Sequence, residues 1–227
     1  MRILALIAMT TGLALAAEPL DVKFAAKDVT PAADPGSPFW KGIAPVLATK
    51  NNLGKDLPTN RTEIRLRWTE KNLYVLMSCP FEELFVLSNP SVKTETNKLW
   101  EHDVAEIFVG ADFENIHQYR EYQVSPQGEW VDLDIDTKNP LPEGGWKWNS
   151  GMVTKARIDT KAKIWYGEFQ IPMKSITAKK IESGLMLRGN FYRFQGGPPE
   201  RKMVAWMPTG RINNHTPEKF GSLHLVK

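Results

Sequence analysis

The chain has 227 residues, with 29 Lys and Arg against 26 Asp and Glu and a formal net charge of +3. Its basic residues are scattered, which argues against nucleic acid or an anionic membrane as partner. One cysteine, Cys79, excludes an intramolecular disulfide, and its place at the end of an apolar run makes it a buried small hydrophobe.

In chain order, Arg2 is followed by the apolar run Ile3 to Met9 and by the small residues Ala14, Ala16 and Ala17, the form of a secretory signal peptide. Cleavage after Ala16 or Ala17 sends the chain to the periplasm or the medium, free of the membrane. The expected division is residues 1–16 as signal, 17–34 as an N-terminal segment and 35–227 as one β domain, large enough for a core without disulfide or metal staples. Residues 21–24 can form a short strand, and the Pro- and Gly-rich stretch 31–38 reads as a loop. From Glu63 to Trp68 apolar and charged residues alternate, then Lys71-Asn72 turns the chain into Leu73–Met77, a β-hairpin.

The same pattern recurs at 104–109, 119–125, 130–135, 152–158, 164–171, 185–194, 203–206 and 222–226, giving about ten strands. Only 173–182 suggests a helix. The fold expected is therefore all-β, an antiparallel sandwich of jelly-roll type, acting as a monomer.

Several residue groups carry possible chemistry. Trp100, beside Glu101 and His102, sits in a polar setting that suits an exposed aromatic. Trp146 and Trp148 share one face of an extended segment. Asp132, Asp134 and Asp136 alternate, so with Trp130 they are expected on an outer face while Val131, Leu133 and Ile135 face the core. Three neighbouring carboxylates repel one another, and calcium is the metal that would relieve them; no cofactor is otherwise required. The four histidines lack the spacing of a zinc site, and the chain has no nucleophile elbow or phosphate-cradling loop, so enzyme chemistry has no positive support.

The segment from Leu99 to Val109, Leu-Trp-Glu-His-Asp-Val-Ala-Glu-Ile-Phe-Val, resembles the motif of family 9 carbohydrate-binding modules, in which a tryptophan precedes an acidic-start strand. The Asn72–Val75 hairpin, the Tyr122–Pro126 strand, Glu168 to Pro172, Asn190-Phe191 and the closing Pro217–Gly221 follow in the family's order. The resemblance implies a non-catalytic sandwich whose two tryptophans grip a glycan chain end. Trp100 would form one wall and Glu106 would accept a hydroxyl, with Gln123 and Tyr192 as further polar contacts. Asn214 stands where the second tryptophan would be, and Gln123 replaces a family arginine. The function so implied is an exported carbohydrate-binding protein that serves polysaccharide catabolism with a glycan or oligosaccharide as partner. The alternative is a haem-binding electron-transfer sandwich, with Met77, Met186, Met203 and His215 as axial candidates; Met77 and Met186 lie in strand patterns that fit core packing.

Overall fold

The alternation read between Glu63 and Trp68 has the physical consequence expected of it. Thr62, Ile64, Leu66 and Trp68 are buried, and Glu63, Arg65 and Arg67 are half-buried on the opposite face. The computed structural model describes residues 18–227; the signal-peptide expectation falls on residues outside these. The described residues form β1 (Leu20–Phe24), β2 (Val46–Ala48), β3 (Thr62–Trp68), β4 (Asn72–Pro80), β5 (Val104–Gly110), β6 (Gln118–Val124), β7 (Trp130–Asp136), β8 (Val153–Asp159), β9 (Ile164–Pro172), α1 (Met173–Ile176), β10 (Met186–Gln195), β11 (Lys202–Ala205) and β12 (Gly221–Val226).

The hydrogen-bonded order is β7-β6-β5-β10-β12-β1-β3-β4-β9-β8, with β11 on β10 and β2 on β3. Three details depart from the sequence reading. The short strand β2 was not anticipated, since Val46–Ala48 is too brief to show a period. The helix runs only from Met173 to Ile176. The sheet is mixed, because β1 pairs in parallel with both β12 and β3 and so joins the two halves of the path. The 17–34 segment thus supplies a strand to the sheet as well as the strap described below.

The two halves stack face to face. Ala105, Ile107 and Val109 of β5, Tyr122 and Val124 of β6, and Phe191 of β10 share one core with Val75 and Met77 of β4 and Trp165 and Phe169 of β9. Burying each larger side chain is worth about 1.5–3 kcal/mol. The layers approach most tightly at Gly167, where an added Cβ would lie 2.8 Å from Val124 Cγ1. Cys79 belongs to this core, and burial pushes its thiol up to about 12, as befits an inert packing residue.

Each sheet has an outer face, and the two are treated differently. On the β4–β9 side the N-terminal segment lies across Tyr74, Leu76 and Tyr166, packing Ala33 and Trp40 onto them. Glu168 fixes this strap by accepting from Ala32 N at 2.9 Å, Ala33 N at 2.7 Å and Trp40 Nε1 at 3.1 Å. On the other sheet the outward positions of β5, β6, β7 and β10 form the floor of a cleft.

Candidate functional site

Strand register brings the polar floor together. Glu106 on β5 sits between Gln123 on β6 and Tyr192 on β10, while Phe108 is flanked by Glu121 and Asn190. Because side chains alternate along a strand, Glu106, Glu121, Gln123 and Tyr192 all leave the core and face outward. A cleft of about 440 Å³ opens above them, lined by Trp100, Glu106, Glu121, Leu133, Ile135, Gly144, Phe194, Met203, Asn214 and His215. A depression of similar size, about 460 Å³, is lined by Glu82, Glu83, Glu200 and Lys202 and offers no aromatic surface.

Trp100 is presented by a single 3-10 turn, Leu99–Glu101, entered through Lys98 at φ 60°. Leu99 is buried below it with Val104, Val131 and Leu133, and Trp100 packs on that cluster beside Trp146 and Phe194. The turn's end is held by Arg201, whose guanidinium donates to the carbonyls of Trp100, Glu101 (2.5 Å) and His102 (2.9 Å) and lies over the Phe194 ring. Such a donor satisfies carbonyls that the short turn leaves unpaired. Asp103 adds a second anchor, accepting from Phe85 N at 3.1 Å and Gly196 N at 2.6 Å.

The opposite group of lining residues is polar. Gln123 Nε2 donates to Glu106 Oε2 at 2.8 Å and to Glu121 Oε1 at 2.5 Å, and Asn214 Nδ2 donates to Glu106 Oε1 at 2.7 Å. Burial and the Glu121 charge raise the Glu106 carboxyl well above its usual range, and burial raises Glu121 to about 7. His215 Nδ1 and the Tyr119 hydroxyl lie 2.7 Å apart, and its Nε2 is 3.8 Å from Glu121 Oε2. Burial lowers this imidazole to about 4, so it is neutral at pH 7. Tyr192 lies deeper, donating to the Asn214 carbonyl at 3.1 Å and accepting from Asn190 Nδ2 at 2.6 Å.

An aromatic presented beside a carboxylate and amide floor, on a sandwich of this strand order, agrees with a family comparison in which "Carbohydrate family 9 binding domain-like" matches residues 36–227. The chain belongs to this family of carbohydrate-binding domains. Solved structures give the same fold. A family 9 module from Caldicellulosiruptor kristjanssonii in complex with cellotriose superposes with a TM-score of 0.65 at 15% identity, covering 92% of this chain and 94% of that one. The same source in complex with glucose gives 0.63 at 15% identity, over 90% and 95% of the two chains. A proposed carbohydrate-binding protein from Bacteroides uniformis gives 0.71 at 15% identity, over 92% and 99%. Among curated proteins none matches in sequence. Family 9 domains bind carbohydrate without catalysing its conversion.

In this family 9 domain, Trp100, Glu106 and Asn214 of the expected site residues line the cleft, while Gln123 and Tyr192 are fully buried beneath it and orient Glu106 and the Asn214 loop. Glu121 was missed as a cleft residue, and His215 was named only as a haem axial candidate, not beside the saccharide contacts. Glu121 could have been found from Gln123 by the two-residue period of β6; His215 sits in a loop whose path no period describes.

The β7 faces are the reverse of those expected. Val131, Leu133 and Ile135 cover the cleft side, whereas Trp130 packs on the main core and Asp132 is fully buried. The three aspartates have separate partners. Asp132 accepts from Ser150 Oγ at 2.5 Å, Asp134 pairs with Arg120, and Asp136 accepts from Gln118 Nε2, Lys138 N and Asn139 N at 2.9 Å each. Among the described residues no three His, Cys, Asp or Glu side chains form a group that could hold a metal ion. Trp146 and Trp148 also part company: Trp146 joins the cleft-side cluster, and Trp148 packs against the main core under Arg120, 4.7 Å from its ring. A positive-φ turn at Glu143 to Gly145 breaks the extended path just before them.

Proposed function

We propose that this chain is an exported, monomeric, non-catalytic module that holds glycan chain ends in the Trp100–Glu106–Asn214 cleft in support of polysaccharide breakdown. The observation that carries the reading is the half-buried Trp100 indole sharing one cleft with the Glu106 carboxylate and Asn214 amide. A pyranose has polarised C–H faces that lie well on an indole and a rim of hydroxyls that carboxylates and amides satisfy. The family supports saccharide as the ligand class, and two solved relatives hold cellotriose and glucose. With Asn214 in place of a second indole, the slot has one tryptophan wall, and Leu133, Ile135, Phe194 and Met203 supply further apolar surface. The leader-like residues 1–16 support export.

The test is a glycan array on the mature chain, run with calcium and with chelator, followed by calorimetric titration of the hits. Saturable binding lost in Trp100→Ala supports the reading, and binding indifferent to that change removes the cleft from it. A second reading, haem binding, draws on Met203 and His215 lining the same cleft. Met77 lies in the main core, away from that cleft. A Soret band in protein from haem-replete cells would favour haem over saccharide.

A further inference from the structure

The floor of the cleft has a charge pattern that a neutral sugar does not explain. Glu106 and Glu121 are 1% and 3% exposed, and both lean on the single amide nitrogen of Gln123. Among the described residues no lysine or arginine forms an ion pair with either carboxylate; His215 lies 3.8 Å from Glu121 Oε2 and is neutral at pH 7. Arg201, behind the aromatic wall, is taken up by three backbone carbonyls. Glu106 and Glu121 also hydrogen-bond to each other, which requires one of them to be protonated, and the fully buried Gln123 Oε1 has no partner at all.

Two carboxylates held this close and out of water must share a proton or meet a cation. A divalent metal is a poor fit, since it demands six or more oxygen ligands, and here the Gln123 and Asn214 amide nitrogens already point at the carboxylates. An alkylammonium needs only a few acceptors for its three N–H donors and is attracted to an aromatic face such as that of Trp100.

We propose that the cleft selects amino sugars, binding a pyranose through a free primary ammonium seated on the Glu106–Glu121 pair. This rests on the saccharide reading above and narrows it. N-acetylation removes the charge and adds bulk, so an N-acetylated sugar is the discriminating control. Calorimetric titration at pH 7 compares glucosamine, N-acetylglucosamine and glucose on the wild-type chain, with calcium chloride as a separate titrant. Glucosamine should bind about tenfold or more tightly than either neutral sugar, the usual reach of a charge-assisted hydrogen bond out of water. In Glu121→Gln, checked for folding by thermal melting, that preference should shrink to about threefold or less. If the variant does not fold, the wild-type comparison decides alone. Neutral sugars binding as tightly as glucosamine would overturn the amine preference and leave the saccharide reading standing. Absence of binding by all three sugars would overturn both, and calcium displacing glucosamine would reassign the carboxylate pair to a metal.

Discussion

Asn214 and Glu106 are joined by a 2.7 Å hydrogen bond that ties the loop between β11 and β12 to β5 on the cleft side. Where the family resemblance puts a second aromatic wall, the chain has a strut. The strut is doubled from below, since Tyr192 donates to the Asn214 carbonyl.

Asn214→Ala should therefore act on stability as well as on the ligand. It leaves Glu106 Oε1 without its donor, a loss of about 1–3 kcal/mol for a buried carboxylate. Urea denaturation should report this as a lower midpoint at unchanged slope. Amide exchange should quicken around residues 206–216, whose path the strut fixes.

The strap over the β4–β9 side makes a separate prediction. Glu168→Ala removes the acceptor for two backbone N–H groups and one indole N–H, at a cost on the order of 3 kcal/mol. Exchange protection should fall first over residues 28–43, with the cleft little affected because the strap lies on the opposite outer face.

Much of this architecture could be read in the sequence. The β3–β4 hairpin follows from alternation that only one register satisfies, while the β5 motif and the place of Glu106 in the cleft were implied by the family resemblance. The β7 faces were inverted for a physical reason. A strand of alternating Asp and aliphatic residues suggests aliphatic-in, but Asp132 has a buried partner in Ser150, and Val131, Leu133 and Ile135 pack with Leu99 and Trp100 on the cleft side. Period two shows that two faces differ, not which one meets the other sheet. The parallel β1 pairings and the convergence of Glu121 with His215 are long-range contacts that leave no local pattern.

The carboxylate pair gives stability a pH dependence. Glu121 titrates near 4.5 when unfolded and about 7 when folded, so the folded state holds more protons between these values. Its contribution is complete below pH 4.5 and lost as pH rises through about 7. His215 has the opposite sign: lowered from 6.5 to about 4, it withdraws stability as pH falls through that window. The two oppose each other below pH 6.5 and separate above it, where the imidazole is neutral in both states. Melting temperature should fall from pH 6.5 to 8.5 in the wild type, and Glu121→Gln should flatten that slope. A slope unchanged in the variant would place the titration elsewhere.

Gly167 tests the contact between sheets. A Cβ there meets Val124 and the Trp165 ring at 2.8 and 3.0 Å, and overpacking of this kind costs about 1–3 kcal/mol. Gly167→Ala should lower the melting temperature without changing the cleft's lining. The paired change with Val124→Ala should recover part of the loss, because the two side chains occupy the same space.

The most direct test of saccharide binding in this cleft is a pair of measurements on Trp100→Ala, glycan titration and thermal unfolding. Covering one indole face with a pyranose removes roughly 60–100 Å² of apolar surface from water, worth ~1.5–2.5 kcal/mol. The expected result is about a ten- to seventyfold loss of affinity. The melting temperature should fall only modestly, because the ring is half-buried and rests on the Leu99 cluster rather than within the main core. Affinity and melting temperature both unchanged would contradict the account, as would a collapse in stability of ~3–5 kcal/mol, which marks a tryptophan serving as core.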